Sequence, residues 1–391
     1  MKKCLIIYPF FAHYRLPIIK EITNSNFGWD FELVGDKKTA AGIKGIDPSL
    51  AKESIAQGGL NWTFTPLINL CGGKLPLSWQ HGLIKRLLKR DYNAVIMLGS
   101  VYYLTYWLVI PLLKAFQIPI IFWTHGFLGK DSRLMAGVRH LMYVQANSLL
   151  LYGEKAKQIM DSSGLYKGKK LYVIYNSLDY SALNSIDFSC KERDALRKEL
   201  YFHNELPLVV ASGRVNKSKR FDKLIEALDL SIKEYGMLFN LLIIGDGPEL
   251  KKLKEMARDR KIEQYINFVG AKYGVEAYRF LIASDLSVIP GNVGLSAMHA
   301  MSAGLPVISH NEFSVQMPEH EAIIEGKTGS FYKNKDTYDL MKKIHLWAYN
   351  PRLLRDAKAC CKAIVKSKYS VDYQREIIKD CLLSLDNEQK N

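Results

Sequence analysis

The sequence predicts an α/β protein built from two doubly wound domains in tandem. Three observations carry that reading. Short apolar runs alternate with stretches of helical period, the pattern starts afresh after a weakly patterned middle, and 391 residues exceed what one typical core holds.

The first expected strand is Cys4 to Tyr8, inside MKKCLIIYPFFAHYR. Two lysines and an apolar run imitate a secretory leader. Pro9 interrupts the run, His13 and Arg15 follow directly, and no small-x-small cleavage pattern appears, so a buried strand is the reading. Asp30 to Val34, Ala94 to Leu98, Ile118 to Trp123, Ser148 to Leu151 and Leu171 to Tyr175 continue the series. Gly35 to Gly59, rich in glycine, lysine and small residues, reads as a loop region suited either to substrate or to plain linkage. In LSWQHGLIKRLLKR, Trp79, Leu83, Ile84, Leu87 and Leu88 form one stripe of an expected helix, with Lys85, Arg86, Lys89 and Arg90 beside it. Such a helix packs on a sheet or rests on an anionic membrane surface. Val101 to Leu113 is the most apolar stretch, but it contains Pro111 and falls short of the roughly 20 residues that span a bilayer. It is expected to be a buried helix.

The least patterned stretch, Asp179 to Glu205, contains DFSCKERDALRKEL, read as one exposed helix. It divides an N-terminal domain, residues 1–185, from a C-terminal domain, residues 190–370. Beyond it, Pro207 to Ala211, Asn240 to Ile244, Ile266 to Val269, Leu286 to Ile289 and Pro306 to Ser309 are the expected strands.

With 48% hydrophobic and 24% charged residues, the composition is that of a globular protein. The six cysteines are scattered without a CxxC pair, which suggests neither a metal site nor a disulfide framework and fits a reducing, cytoplasmic setting. The net charge of +15 is uneven: residues 1–180 hold 22 Lys and Arg against 11 Asp and Glu, the remainder 32 against 28. A basic first half suits an anionic partner, whether a membrane surface or a phosphorylated substrate. No module for reading nucleic acid accompanies the charge, so no nucleic-acid partner is expected.

Ligands of open α/β sheets bind beyond the carboxyl ends of the strands, and four segments occupy such positions. In VVASGRVNKSKRFDKLIEAL, Gly213 permits a tight turn, and Arg214 and Lys219 project before a helix, as a pair of cations that would neutralise a phosphate. In NLLIIGDGPELKKL, Gly245 and Gly247 follow a strand, in a pattern other than the dinucleotide fingerprint. In IPIIFWTHGF, His125 lies just past a buried strand. In SVIPGNVGLSAMHAMSAGLPVIS, Gly291 and Gly294 allow close backbone approach, and the amides of Asn292, Val293, Gly294 and Leu295 stand at the start of a helix, where an anion is the natural occupant. His13, Tyr14 and Arg15 leave the first strand and are candidates for an acceptor.

Taken together and in order, GRVNKSKRFDKLIEAL, IIGDGPELKKL, INFVGAK, the Ser287 to Ser309 stretch, EAIIEGKTGSFY and YSVDYQREI, with WTHG and VIYNSLD earlier, resemble the GT-B glycosyltransferases of family 4, also called glycosyltransferase group 1. The resemblance implies two Rossmann-like domains facing across a cleft, with a last helix, about residues 372–391, returning to the first. It implies a retaining, metal-independent transferase that takes a sugar from a nucleotide-diphospho-sugar and needs no cofactor. The acceptor would be a glycan, such as a lipid-diphosphate-linked precursor of capsule or lipopolysaccharide, met on the inner face of the cell membrane. Arg214 and Lys219 would grip the donor diphosphate and His125 would reach the donor sugar. Gly213, Gly245, Gly270 and Glu321 fall at donor-side positions. The family usually carries Glu-x7-Glu where this sequence has Gly291 and His299, so the amides and side chain of Asn292 and the ring of His299 would have to serve instead. The absence of an Asp-x-Asp pair agrees with metal independence. A non-catalytic binding subunit and a nucleotide-sugar epimerase are the rival readings.

Overall fold

Strand β1 (Lys2–Phe10) contains the expected apolar run, with Cys4 to Tyr8 buried. The computed structural model describes all residues except 40–42, 71–75, 128–131, 181–182, 184–187, 202, 204 and 389–391. Cys71, part of the Gly35 to Gly59 loop and part of the Asp179 to Glu205 stretch therefore lie outside the described residues.

The chain divides into two units, residues 1–179 with 370–391, and residues 180–369. In the first, β1 joins β2 (Trp29–Asp36), β3 (Trp62–Phe64), β6 (Ala94–Leu98), β7 (Ile120–Thr124), β8 (Ser148–Leu151) and β9 (Lys170–Val173) in a parallel sheet of order β3-β2-β1-β6-β7-β8-β9. Helices cover both faces, so inner strands such as Ile120–Thr124 and Ser148–Leu151 are buried along their whole length and read as unbroken apolar runs. The terminal helix Val371–Glu388 belongs to this unit and lays Ile378, Cys381, Leu382 and Leu385 into its core beside helix Leu16–Asn24.

Two expectations change here. The stretch read as a basic amphipathic helix is a strand, β5 (Ser78–Gln80), paired antiparallel with β4 (Leu67–Asn69), then a turn at Gly82 and a five-residue helix, Leu83–Leu87. Gly82 has φ 81°, which breaks any continuous helix. Leu83 and Leu87 are core residues and Arg86 is bound by Glu32 and Asp91, so these three serve the fold, while Leu88 (54% exposed), Lys85, Lys89 and Arg90 lie on the surface. The apolar helix Leu104–Ala115 buries Tyr106, Val109, Ile110 and Leu113 as expected, but Leu108 on its other side is 55% exposed. Among the described residues no helix is long and apolar enough to cross a membrane.

The second unit is a parallel sheet of β10 (Leu208–Ser212), β11 (Asn240–Ile244), β12 (Ile266–Gly270), β13 (Leu286–Ile289), β14 (Val307–His310) and β15 (Gly329–Tyr332), in the order β12-β11-β10-β13-β14-β15. Helix Asp222–Tyr235 shows how the pattern becomes packing. Leu224, Ile225, Ala227, Leu228 and Ser231 recur at helical spacing and are buried, and Gly236 at φ 62° ends the helix. Helix Cys190–Leu200, the expected exposed helix, opens with a capping box between Ser189 and Glu192. Arg193 and Arg197 fasten it to Asp285, which also accepts from the Leu208 amide at 2.8 Å.

Candidate functional site

In the second unit the strand order reverses between β10 and β13, the place where open α/β sheets bind ligands. The loops after these strands are zipped together. The Gly291 amide donates to the Lys219 carbonyl at 3.0 Å and the Asn292 amide to that of Ser218 at 3.4 Å. Lys219 Nζ returns to donate to the Asn292 carbonyl at 2.7 Å. Burial lowers the pKa of Lys219, and the negative charge of Glu319 opposes that shift.

This closeness explains Gly291. A Cβ there would lie 1.9 Å from the Ser218 carbonyl oxygen and 2.8 Å from the Lys219 backbone. Gly245 is constrained in the same way, with φ 152° and a notional Cβ 1.9 Å from the Gly213 carbonyl oxygen. Its amide donates to the Gly270 carbonyl at 2.8 Å, and that of Gly213 to Ile244 at 2.9 Å, so the three strand ends form one surface.

The site residues read from the sequence divide into those with free groups and those already engaged. Arg214 is exposed on the loop beside this clasp, and no acidic partner is found for it among the described residues. The amides of Asn292 and Val293, expected to face a ligand, are spent inside the protein, the latter on the buried Gln316 side chain at 2.8 Å. The Gly294 and Leu295 amides remain at the start of helix Leu295–Ser302. His299, one turn along, is half-buried, with Tyr180 edge-on at 6.1 Å between ring centroids. Glu321 lies half-buried in the short helix Pro318–Ala322, where Glu319 is only 3% exposed.

Three residues of this site were not singled out from the sequence. Gln316 also donates to Ser309 Oγ and to the His310 carbonyl, both at 2.9 Å, and so fixes the loop after β13. Glu319 is the buried carboxylate near Lys219, and the Pro318-Glu319 pair could have marked it. Tyr180 backs His299 and has no local sequence signal.

In the first unit the order reverses between β1 and β6. Arg15, in the short helix His13–Arg15 just past β1, lies 4.5 Å from the Tyr8 ring centroid, 4.7 Å from Trp123 and 5.8 Å from Tyr152, and donates to the Tyr152 hydroxyl. His125 stacks against the same Tyr152 at 4.5 Å between centroids, and its Nδ1 is buried without a partner. Burial, then the charges of Arg15 and Arg139, push its pKa down to about 4, so the ring is neutral at pH 7. Tyr14 borders this cluster, its ring 5.9 Å from Arg15. His13 does not join it: it is exposed and bound to the Lys44 carbonyl through both its amide and Nδ1.

Residues 192–369 match the family described as glycosyl transferases group 1. Among curated relatives, the alpha-monoglucosyldiacylglycerol synthase of Acholeplasma laidlawii is 24% identical over 206 residues, 51% of this chain and 50% of that one. The amylovoran biosynthesis glycosyltransferase AmsK of Erwinia amylovora is 29% identical over 143 residues, 34% and 33% of the two chains. The chain thus spans about half the length, or less, of these relatives. Anabaena HepE in complex with UDP superposes with a TM-score of 0.73 at 16% identity, covering 98% of this chain and 100% of that one, a likeness of fold.

Proposed function

From a chain whose residues 192–369 form a glycosyl transferases group 1 domain and whose fold is GT-B, we propose a glycosyltransferase that moves a sugar from a nucleotide-diphospho-sugar to a glycan or lipid-linked acceptor. The observation that carries this reading is the cationic clasp at the strand reversal of the second unit, where Lys219 closes on the Asn292 carbonyl and Arg214 stands exposed beside it. Retention follows from the proposed chemistry. The bond from the anomeric carbon to the diphosphate breaks, the acceptor oxygen bonds to that carbon on the same face, and the hydroxyl proton passes to the leaving nucleoside diphosphate. The demanding part of such a step is the charge left on the diphosphate, and fixed cations with amide donors such as those of Gly294 and Leu295 stabilise it without a metal or cofactor. The proposed acceptor class, a polysaccharide or glycolipid precursor assembled at the cytoplasmic face of the membrane, is supported by relatives named for a glucosyldiacylglycerol and for amylovoran biosynthesis.

The test is thermal stability of the full chain with UDP, GDP, dTDP and ADP and their sugars, repeated on Arg214→Ala and Lys219→Ala. One nucleotide should raise the melting temperature of the wild type and lose at least tenfold in affinity in either variant. If no nucleotide stabilises the wild type, the transferase reading fails and a non-catalytic subunit takes its place. Consumption of donor without acceptor would instead favour the epimerase.

A further inference from the structure

The cluster around Arg15 has chemistry that the donor site does not use. A guanidinium carries five N–H donors in a planar fork. Arg15 is half-buried among Tyr8, Tyr14, Trp123 and Tyr152, the only hydrogen bond of its guanidinium among the described residues goes to the Tyr152 hydroxyl, and it has no carboxylate partner there. Three neighbouring polar atoms are also buried without hydrogen-bond partners: the Tyr8 hydroxyl, Trp123 Nε1, an obligate donor, and His125 Nδ1. Buried charge and buried donors left unmatched are costly, and the aromatic faces hold the guanidinium without neutralising it. Arg139 adds positive charge near His125. The cluster lies at the carboxyl end of β1 beside the reversal of strand order, so its place is that of a ligand site.

We propose that Arg15, with Trp123 and His125, forms a phosphate-binding subsite in the first unit that recognises a phosphate group of a substrate. A neutral hydroxyl would leave the guanidinium charge unmatched, and a cation would meet Arg15 and Arg139. A phosphate meets the fork with two parallel bonds and offers a further oxygen to the indole N–H. The inference rests on the transferase reading for its substrate. The phosphate belongs either to the second substrate, as a lipid- or sugar-linked phosphate, or to the diphosphate of the donor.

The test uses the full chain at pH 7 and follows the Trp123 indole N–H and His125 ring signals by NMR while methyl phosphate is added, with and without saturating UDP. Saturable movement of both signals is expected, with affinity weakened at least tenfold in Arg15→Gln and partly kept in Arg15→Lys. Movement that persists under UDP assigns the phosphate to the second substrate. Exclusion of methyl phosphate by UDP, with UDP itself moving the Trp123 signal, assigns it to the donor. Both outcomes uphold the subsite. Signals that do not move saturably in the wild type, or that move equally in Arg15→Gln, overturn it, and the wild-type titration decides alone if the variants do not fold. Phosphate binding at Arg15 with no nucleotide bound anywhere would sink the transferase reading and leave the subsite standing.

Discussion

At position 291 the family resemblance calls for a carboxylate, and the backbone of Ser218 and Lys219 excludes one: a Cβ would be 1.9 Å from the Ser218 oxygen. The loop that carries Lys219 occupies the volume a side chain would fill. Even Gly291→Ala should therefore destabilise the protein, by about 1–3 kcal/mol, read as a lower urea midpoint. An unchanged midpoint would mean that the loop yields freely. His125 gives a second residue-scale expectation. Its ordinary value is 6.5 and the fold lowers it to about 4, so between those values the unfolded chain binds a proton that the folded chain refuses. The stability tied to the neutral ring is full above about pH 6.5 and is lost as pH falls toward 4. His125→Gln should flatten this acid limb by up to about 3 kcal/mol, measured by urea unfolding at several pH values. Arg214 and His125 were candidates in the sequence because each lies within two residues of a strand end, and Lys219 because it stands in the same loop just before a helix. Trp123, Gln316 and Tyr180 could not, because their partners come from distant segments.

At the scale of elements, helix Cys190–Leu200 depends on a few polar contacts, since none of its residues is buried. Ser189→Ala removes the cap and should cost about 1 kcal/mol. Asp285→Asn weakens both arginine contacts together and should cost more, about 2 kcal/mol, with faster proteolysis within the helix as the readout. The long buried strands were readable, and β13 matches its expected ends residue for residue. The three-residue strands β3, β4 and β5 were not, because too few alternations fit in them to show a period. The misread basic helix has the same cause: Leu83 and Leu87 do share a helical face, but Gly82 cuts that helix off from Trp79.

For the whole molecule, the chain leaves the first unit after Asp179 and returns to it at Ser370. Its last helix is structural: Gln374 donates to the Tyr175 carbonyl at 2.7 Å and accepts from Ser177 at 2.6 Å, while four of its apolar side chains fill the core. A chain ending at Tyr369 should lose more than about 4 kcal/mol in the first unit alone. Hydrogen exchange should then show β1 and β7 unprotected and β10 and β13 as slow as before. The two doubly wound units were legible from the alternation of strands and helices, because a parallel sheet needs a helix at each crossover.

That returning helix also sets an order of events during synthesis. Residues 1–179 leave the ribosome with part of one sheet face bare, and the piece that covers it is translated only after the whole second unit, on the order of tens of seconds later at usual elongation rates. The intervening segment has all its own parts and can finish first. The nascent first half is thus the portion exposed to chaperones and to aggregation, and a stop codon before Ser370 would strand it in that state.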